Sequence, residues 1–156
     1  MKSPTDPITP DEWLLRRVHA SSFKQPLGSG LQHGSFVPRG KKSNCPDDTG
    51  ISLYRAECLP GAECILAGIA DEAKRRQNGV VRVRVSALYE LGLEVVIEHD
   101  DPDDPTAGIP GHVVIPQLTG PAYEDATKKP RLKVVIERLS EIAGQPENVL
   151  IIPAGP

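Results

Sequence analysis

Hydrophobic and polar positions alternate most clearly along residues 80–85, where valines at 81, 83 and 85 are separated by arginines at 82 and 84. A period of two places these two sets of side chains on opposite faces of a β-strand. Short apolar runs between turn residues predict four more strands, over residues 51–54, 93–98, 112–118 and 149–152. The pattern therefore predicts five strands, one of which presents arginines away from the core.

Helical periodicity occurs in three places. Residues 130–143 carry apolar side chains three and four positions apart and are followed by a glycine, which predicts the longest helix. Residues 60–76 show a similar apolar stripe that ends in three basic residues, and this predicts a second helix. Thr9 and Glu12 have the spacing of a capping box, which predicts a third helix through residues 13–18.

Residues 19–50 have no sustained period of either kind, and their glycines and prolines predict a long ordered loop. Loops of this length inside a compact domain are uncommon and are often functional. We expect its scattered apolar residues to anchor the loop to the body; these are Phe23, Leu27, Leu31, Phe36 and Val37.

Strands and helices do not alternate regularly along the chain, which argues against a doubly wound parallel sheet. We expect an α+β fold: a small mixed or antiparallel sheet of four to five strands packed by two to three helices, with a long ordered N-terminal loop region. Residues 1–8 are expected to form a flexible N-terminal tail, and residues 9–156 a single domain.

Charge is unevenly distributed along the chain. The net charge is −3, and residues 98–104 alone carry five acidic side chains and no lysine or arginine. A nucleic-acid-binding domain usually has an overall basic excess, so nucleic acid is not the expected partner. We expect no membrane span, because apolar runs are short, and a cytoplasmic location, because three cysteines occur without a signal-like start.

His112 is the main candidate for catalytic chemistry, because it begins a predicted strand directly after the acidic segment. Oriented by a carboxylate, it would serve as a general base. Asp48 and Arg55 would either line a cleft with it or form a structural ion pair. Alternatively, His112 only bonds a neighbouring backbone group, since the sequence reveals no nucleophile. The nearby acids are Asp100, Asp101, Asp103 and Asp104.

We expect neither a metal nor a cofactor. Cys45, Cys58 and Cys64 lack the closely spaced pair that is typical of structural zinc sites. His99 with His112 would supply two metal ligands, but the acidic segment between them lacks the glycine and the alternating oxygen ligands of a calcium loop.

Basic residues occur in two further clusters that would contact an anion or an acidic partner if they lie on one face. The outward arginines at 82 and 84 would extend this face. The alternative is a set of scattered, solvated charges. The two clusters are Arg39, Lys41 and Lys42, and Lys74, Arg75 and Arg76.

Several segments resemble a group of short bacterial proteins of unassigned function. The matching segments are residues 13–18, 36–39, 48–55, 95–98 and 111–116, so the similarity covers roughly residues 11–118. The resemblance implies a bacterial cytoplasmic origin and a single domain. It implies no activity, and no catalytic residue is carried over from it.

We therefore expect a non-enzymatic protein-interaction module or an accessory subunit of a bacterial cytoplasmic system, such as one for defence or a mobile element. Its partner protein would contact residues 19–50 and the sheet edge; the oligomeric state is not indicated. The first alternative is a small hydrolase or transferase that uses His112 with an acidic-segment aspartate. The second is phosphate or nucleic-acid binding by a basic face.

Overall fold

A computed structural model describes residues 1–98 and 109–154, which form an α+β fold. Its one antiparallel sheet has six described strands in the order β4-β5-β2-β1-β3-β6. The strands are β1 Trp13–His19, β2 Ile51–Arg55, β3 Asn78–Arg84, β4 Val96–Ile97, β5 His112–Ile115 and β6 Val149–Ile151. The α-helices are α1 Glu72–Arg76, α2 Val85–Glu90, α3 Gly120–Glu124 and α4 Lys129–Ala143. Short 3-10 segments lie at Ala20–Ser22, His33–Phe36, Ala56–Cys58, Ala62–Leu66 and Pro146–Asn148.

All five predicted strands are present, although the one predicted over residues 93–98 is reduced to the two residues of β4. The predicted total of four to five strands is one too low, because the sequence pattern predicts a helix where β1 lies. The predicted total of two to three helices is also too low, since the described residues form four α-helices, among them the short α2 and α3. The long helix predicted over residues 130–143 is confirmed as α4. Among the described residues, no helix combines the length and the apolar character that crossing a membrane requires.

The helix predicted through residues 13–18 is wrong, because these residues form the central strand β1. The capping contacts do form: the Thr9 backbone N–H donates to Glu12 Oε2 at 2.7 Å. They close a turn instead of starting a helix, and β1 then pairs with β3 along its whole length and with β2 at Leu14 and Leu15. Both faces of β1 are packed, so its sequence lacks the alternation of a half-exposed strand.

The helix predicted over residues 60–76 is interrupted. Residues 62–66 form a 3-10 turn, and α1 covers only the last five positions. Asp71 starts α1 afresh, since its carboxylate accepts the backbone N–H groups of Ala73 and Lys74 at 2.8 and 3.3 Å. The apolar stripe is nevertheless used, because Ile65 and Leu66 are buried against the sheet.

The two faces of the sheet carry separate apolar clusters. We call the face that bears Leu14, Leu53 and Val83 the helix face, because α2 and α4 pack on it. The opposite face bears Leu15, Tyr54 and Val80 and is covered by the loops and 3-10 turns around residues 56–69; we call it the loop face. The larger part of the core lies on the helix face.

Residues 20–50, all of which the structure describes, have no place among the six strands, but they are part of the core. Four of the five predicted anchors pack on the helix face: Phe23, Leu31 and Phe36 are buried there, and Val37 is partly buried. Leu27 is the exception, since it is 39% exposed and its prediction as an anchor is wrong. Arg16 adds a polar anchor, because its Nε donates to the Ser35 carbonyl at 3.1 Å.

Candidate functional site

Arg55 is completely buried and pairs with Glu12, which is also buried. Its Nε and Nη2 donate to the two carboxylate oxygens of Glu12 at 2.8 and 3.0 Å. Its Nη1 and Nη2 also donate, at 2.7–3.2 Å, to the backbone carbonyls of Pro4, Asp6 and Pro7. Arg55 therefore holds the N-terminal segment along the surface of the domain; the flexibility expected for residues 1–8 stays a prediction.

The Glu12–Arg55 pair is electrostatically reinforced. Burial raises the pKa of Glu12, but bonds from Arg55 and from the Thr9 N–H outweigh this and hold its pKa below the ordinary value. The bond to Glu12 correspondingly raises the pKa of Arg55. Lys2 adds a second cation, with Nζ 3.4 Å from Glu12 Oε2. Both members of the buried pair are thus held in their charged forms.

Asp48, Arg55 and His112 do not come together. Asp48 is exposed in the turn before β2, whereas Arg55 is the last residue of that strand. Arg55 lies opposite Leu14 on the helix face, and His112 lies opposite Tyr54 on the loop face. The ion pair expected for Arg55 is real, but its partner is Glu12. The three residues therefore do not line one cleft, and their proposed catalytic roles stay predictions.

His112 occupies a defined position on the loop face. Its Nε2 lies 2.9 Å from Ser52 Oγ, and its ring stacks on Tyr54 with centroids 5.3 Å apart and an interplanar angle of 27°. His112 and Ser52 are both half-buried. The predicted carboxylate partners of His112 and the proposed second ligand His99 fall within residues 99–108, which lie outside the described residues.

Gly111 explains why β5 begins where it does. Its φ of 84° lies in the left-handed region that favours glycine. A Cβ at this position would lie 2.8 Å from the Cβ of Cys58 and 3.3 Å from the Cβ of Arg55. The Gly111 carbonyl also accepts the backbone N–H of Arg55 at 2.9 Å. This close approach fixes the start of β5 and hence the position of His112.

Ser52 is the residue that sequence reasoning missed. Alternation along β2 places Ser52 on the same face as Tyr54, but only the pairing of β2 with β5 brings it to His112. That contact joins residues 60 positions apart in sequence. The carbonyl of Ser52 is also held, because it accepts a hydrogen bond from Arg16 Nη1 at 2.9 Å. Burial lowers the pKa of Arg16 to about 10. This value is still well above neutral pH, so the side chain remains cationic.

The two predicted basic clusters follow segments that pack on opposite faces of the sheet. Arg39 is bound to Asp47 through Nη2 at 3.2 Å, and this bond raises its pKa. The neighbouring backbone N–H of Lys41 donates to Glu124 of α3 at 3.2 Å, and Val37 packs on the helix face. In contrast, α1 follows Ile69, which packs on the loop face. The role of either cluster as an anion contact stays a prediction; the second comprises Lys74, Arg75 and Arg76.

A different basic group lies on the loop face, which we call the cationic aromatic cluster: Trp13, Arg82 and Arg84. Trp13 is directly opposite Arg84 in the β1–β3 ladder. The guanidinium carbons of Arg82 and Arg84 lie 3.9 and 4.3 Å from the centroid of the indole ring. Trp13 and Arg82 are half-buried, and Arg84 is exposed.

Neither arginine of this cluster forms an ion pair in the described part of the chain, although the charge of Arg84 contributes to lowering the pKa of the nearby Asp11. Arg84 Nη1 donates to the Asp11 carbonyl at 2.8 Å, and Arg82 Nε to Asn148 Oδ1 at 3.4 Å. The ion pairs formed among residues 1–98 and 109–154 include neither arginine. Two cations are therefore held in position at the surface by neutral partners.

The cysteines do not assemble a site. All three are free thiols; Cys45 is exposed, Cys64 is half-buried and Cys58 is buried. Burial raises the pKa of Cys58, which disfavours its reactive thiolate form. Within the described residues, no group of three or more histidine, cysteine or acidic side chains is arranged to hold a metal ion.

Comparisons with protein-family models, with curated proteins and with solved structures find no match for this chain.

Proposed function

We propose that this chain is a protein-interaction module that binds an acidic surface of a larger protein through the cationic aromatic cluster. The observation that carries the proposal is the contact of two guanidinium groups with the half-buried ring of Trp13. Tryptophan and arginine are the residues most enriched at binding hot spots, where a few side chains contribute most of the affinity. The cluster combines both types in one surface position.

Preorganisation supports the same function. Ordering a long arginine side chain costs about 0.5–1.5 kcal/mol on binding. Here the cation–π contacts and the bonds to Asp11 and Asn148 already hold Arg82 and Arg84 in place. The cluster sits on two paired strands of the sheet rather than on a loop, so its geometry is fixed before a partner arrives.

Charge favours an acidic protein over a nucleic acid as the partner. Arginine pairs well with carboxylates, and complementary charge raises the rate and specificity of association. A nucleic acid would be contacted along a longer basic stripe on a chain with a basic excess. This chain has a net charge of −3, and its other basic clusters lie elsewhere on the fold.

The proposal places the module in the bacterial cytoplasm. The three free thiols suit a reducing compartment. Cys45 in particular is exposed to solvent, where an oxidising compartment would favour its oxidation. An accessory role in a larger assembly fits a small domain whose binding surface is only a few residues wide.

Comparative capture tests this function. The wild type and the double variant Arg82→Gln/Arg84→Gln would be used as baits in a bacterial lysate, with quantitative mass spectrometry of the bound proteins. We expect a small set of proteins that binds the wild type, is released by salt and is lost with the variant. Each candidate would then be purified and titrated with both forms, and we expect a loss of about 30-fold or more in affinity.

The matched control is Arg131→Gln/Arg138→Gln, which removes the same charge from exposed positions on α4. This control should bind the purified partner as the wild type does. The proposal is contradicted if the two double variants behave alike, or if the purified candidate binds no form. Loss of binding to the lysate's nucleic acids alone would favour the polyanion alternative instead.

A further inference from the structure

We propose that Ser52 and His112 form a nucleophile–base pair that hydrolyses small anionic esters on the loop face. This inference does not rest on the partner-binding role, because Ser52 and His112 lie on β2 and β5 whereas the cationic aromatic cluster lies on β1 and β3. Serine becomes a nucleophile when a base within hydrogen-bond reach removes its proton. The separation of 2.9 Å between Ser52 Oγ and His112 Nε2 meets that requirement.

The fold holds both groups rigidly. Ser52 and His112 come from adjacent strands in register, with Val114 opposite Ser52 and Tyr54 opposite His112. The Tyr54 ring supports the imidazole from one side. From the neighbouring strand β1, Arg16 Nη1 donates to the backbone carbonyl of Ser52 at 2.9 Å. Sites built on strands in this way keep their geometry better than sites on loops.

A second serine–histidine contact in the chain provides an internal comparison. His19 Nδ1 lies 2.9 Å from Ser21 Oγ, the same separation as in the proposed pair. That contact is local, between residues two positions apart, and both residues are exposed. It therefore has the heavy-atom distance of the proposed site without its partial burial, and only His19, at the end of β1, lies on a strand.

Arg17 suggests the class of substrate. It lies opposite Val80 in the β1–β3 ladder, which places it on the loop face of the strand next to β2. It is exposed, and the ion pairs among the described residues do not include it. An exposed guanidinium on the same face favours an ester that carries a carboxylate or phosphate group.

The reaction would proceed in two balanced steps. Ser52 Oγ attacks the ester carbonyl carbon, its proton passes to His112 Nε2, and the alcohol leaves with that proton. Water then attacks the acyl-serine, with His112 accepting one of its protons and returning it to Ser52 Oγ. The products are the carboxylic acid and the alcohol, and the enzyme is restored.

Covalent labelling tests the pair directly. The full chain would be treated with a fluorophosphonate, in which an activated serine oxygen replaces fluoride on phosphorus, and the adduct would be located by peptide mass spectrometry. We expect the adduct on Ser52 and none on Ser21. His112→Gln should slow labelling by about 100-fold or more, whereas Ser21→Ala should label at the wild-type rate.

Arg17→Gln tests the substrate class. Its kcat/KM should fall about tenfold for a nitrophenyl ester that carries a carboxylate, and should not change for nitrophenyl acetate, because only the former meets the cation. An adduct that forms on Ser21 as fast as on Ser52, or no serine adduct at all, overturns the inference. Labelling is read on the wild-type chain, so the result stands even if a variant fails to fold. The control Arg131→Gln/Arg138→Gln should label at the wild-type rate, which excludes a general effect of lost positive charge.

Discussion

At the scale of single residues, the Glu12–Arg55 pair is the most consequential feature of the molecule. Both side chains are 0% exposed, and one arginine joins the start of β1, the end of β2 and three carbonyls of the N-terminal segment. A buried cation that loses its counterion still pays the free-energy cost of leaving water, but no longer gains the attraction of the opposite charge. The pair therefore makes the fold depend on one acidic side chain.

We predict that Glu12→Gln lowers the free energy of unfolding by about 3 kcal/mol or more at neutral pH, because Arg55 is left buried without a counterion. The control Glu141→Gln breaks an ion pair with Arg138 that is more than half exposed, and should cost less than about 1 kcal/mol. Urea denaturation followed by circular dichroism measures both. Equal effects in the two variants would contradict the prediction.

The same experiment has a defined dependence on pH. Because folding lowers the pKa of Glu12 below its ordinary 4.5, its contribution to stability is complete above 4.5 and is lost as the pH falls through the lowered value. The difference in stability between wild type and Glu12→Gln should therefore shrink as the pH is lowered from neutral to below 4.5. A difference that stays constant or grows would show that the carboxylate charge is not what stabilises the pair.

At the scale of elements, local patterns identified strands where one face is polar and failed where both faces are packed. Residues 80–84 alternate because arginines line the loop face of β3, and the strand predicted there is confirmed, although Val85 begins α2 instead of ending the strand. β1 has apolar neighbours on both faces, so its sequence carries no period of two. The turn at Thr9–Glu12 also has the spacing and the hydrogen bond of a capping box, a pattern that predicts the start of a helix.

The candidate sites were limited by long-range pairing. The sequence indicates His112 as a candidate because it begins an apolar run after the acidic segment, and both of these features are local. Its contact with Ser52 and the contact of Trp13 with Arg84 both depend on strand register, which no local pattern supplies. Arg55 was noted as an ion-pair residue, but the identity of its partner required β1 to be a strand.

Gly79 tests how tightly the elements are joined. A Cβ at this position in β3 would collide with the Ile151 carbonyl oxygen and would lie 2.8 Å from Phe23 Cζ. We predict that Gly79→Ala lowers the free energy of unfolding by about 1–3 kcal/mol, because β6 and the segment around Phe23 must move away from β3. Gly34→Ala, which meets nothing within 4 Å, should leave stability nearly unchanged. Thermal and urea unfolding of both variants distinguish this packing effect from a general loss of glycine flexibility.

At the scale of the whole molecule, the sheet separates most of the hydrophobic core from the two surface groups to which we assign functions. The helix face contains most of the core, and residues 20–50 contribute to it through Phe23, Leu31 and Phe36. The predicted contact of a partner with residues 19–50 stays a prediction, because these residues are anchored in the core but form none of the six strands. The loop face instead carries the cationic aromatic cluster and the Ser52–His112 contact.

The fluorescence of Trp13 gives the most direct measurement of partner binding, because Trp13 is the single tryptophan of the chain and lies in the proposed surface. The protein would be titrated with a peptide rich in aspartate and glutamate and with an equally long peptide of asparagine and glutamine. We predict a saturable change with the acidic peptide that weakens as salt is added and is absent in Arg82→Gln/Arg84→Gln. No change with the acidic peptide, or an equal change with the neutral one, would contradict the proposed function.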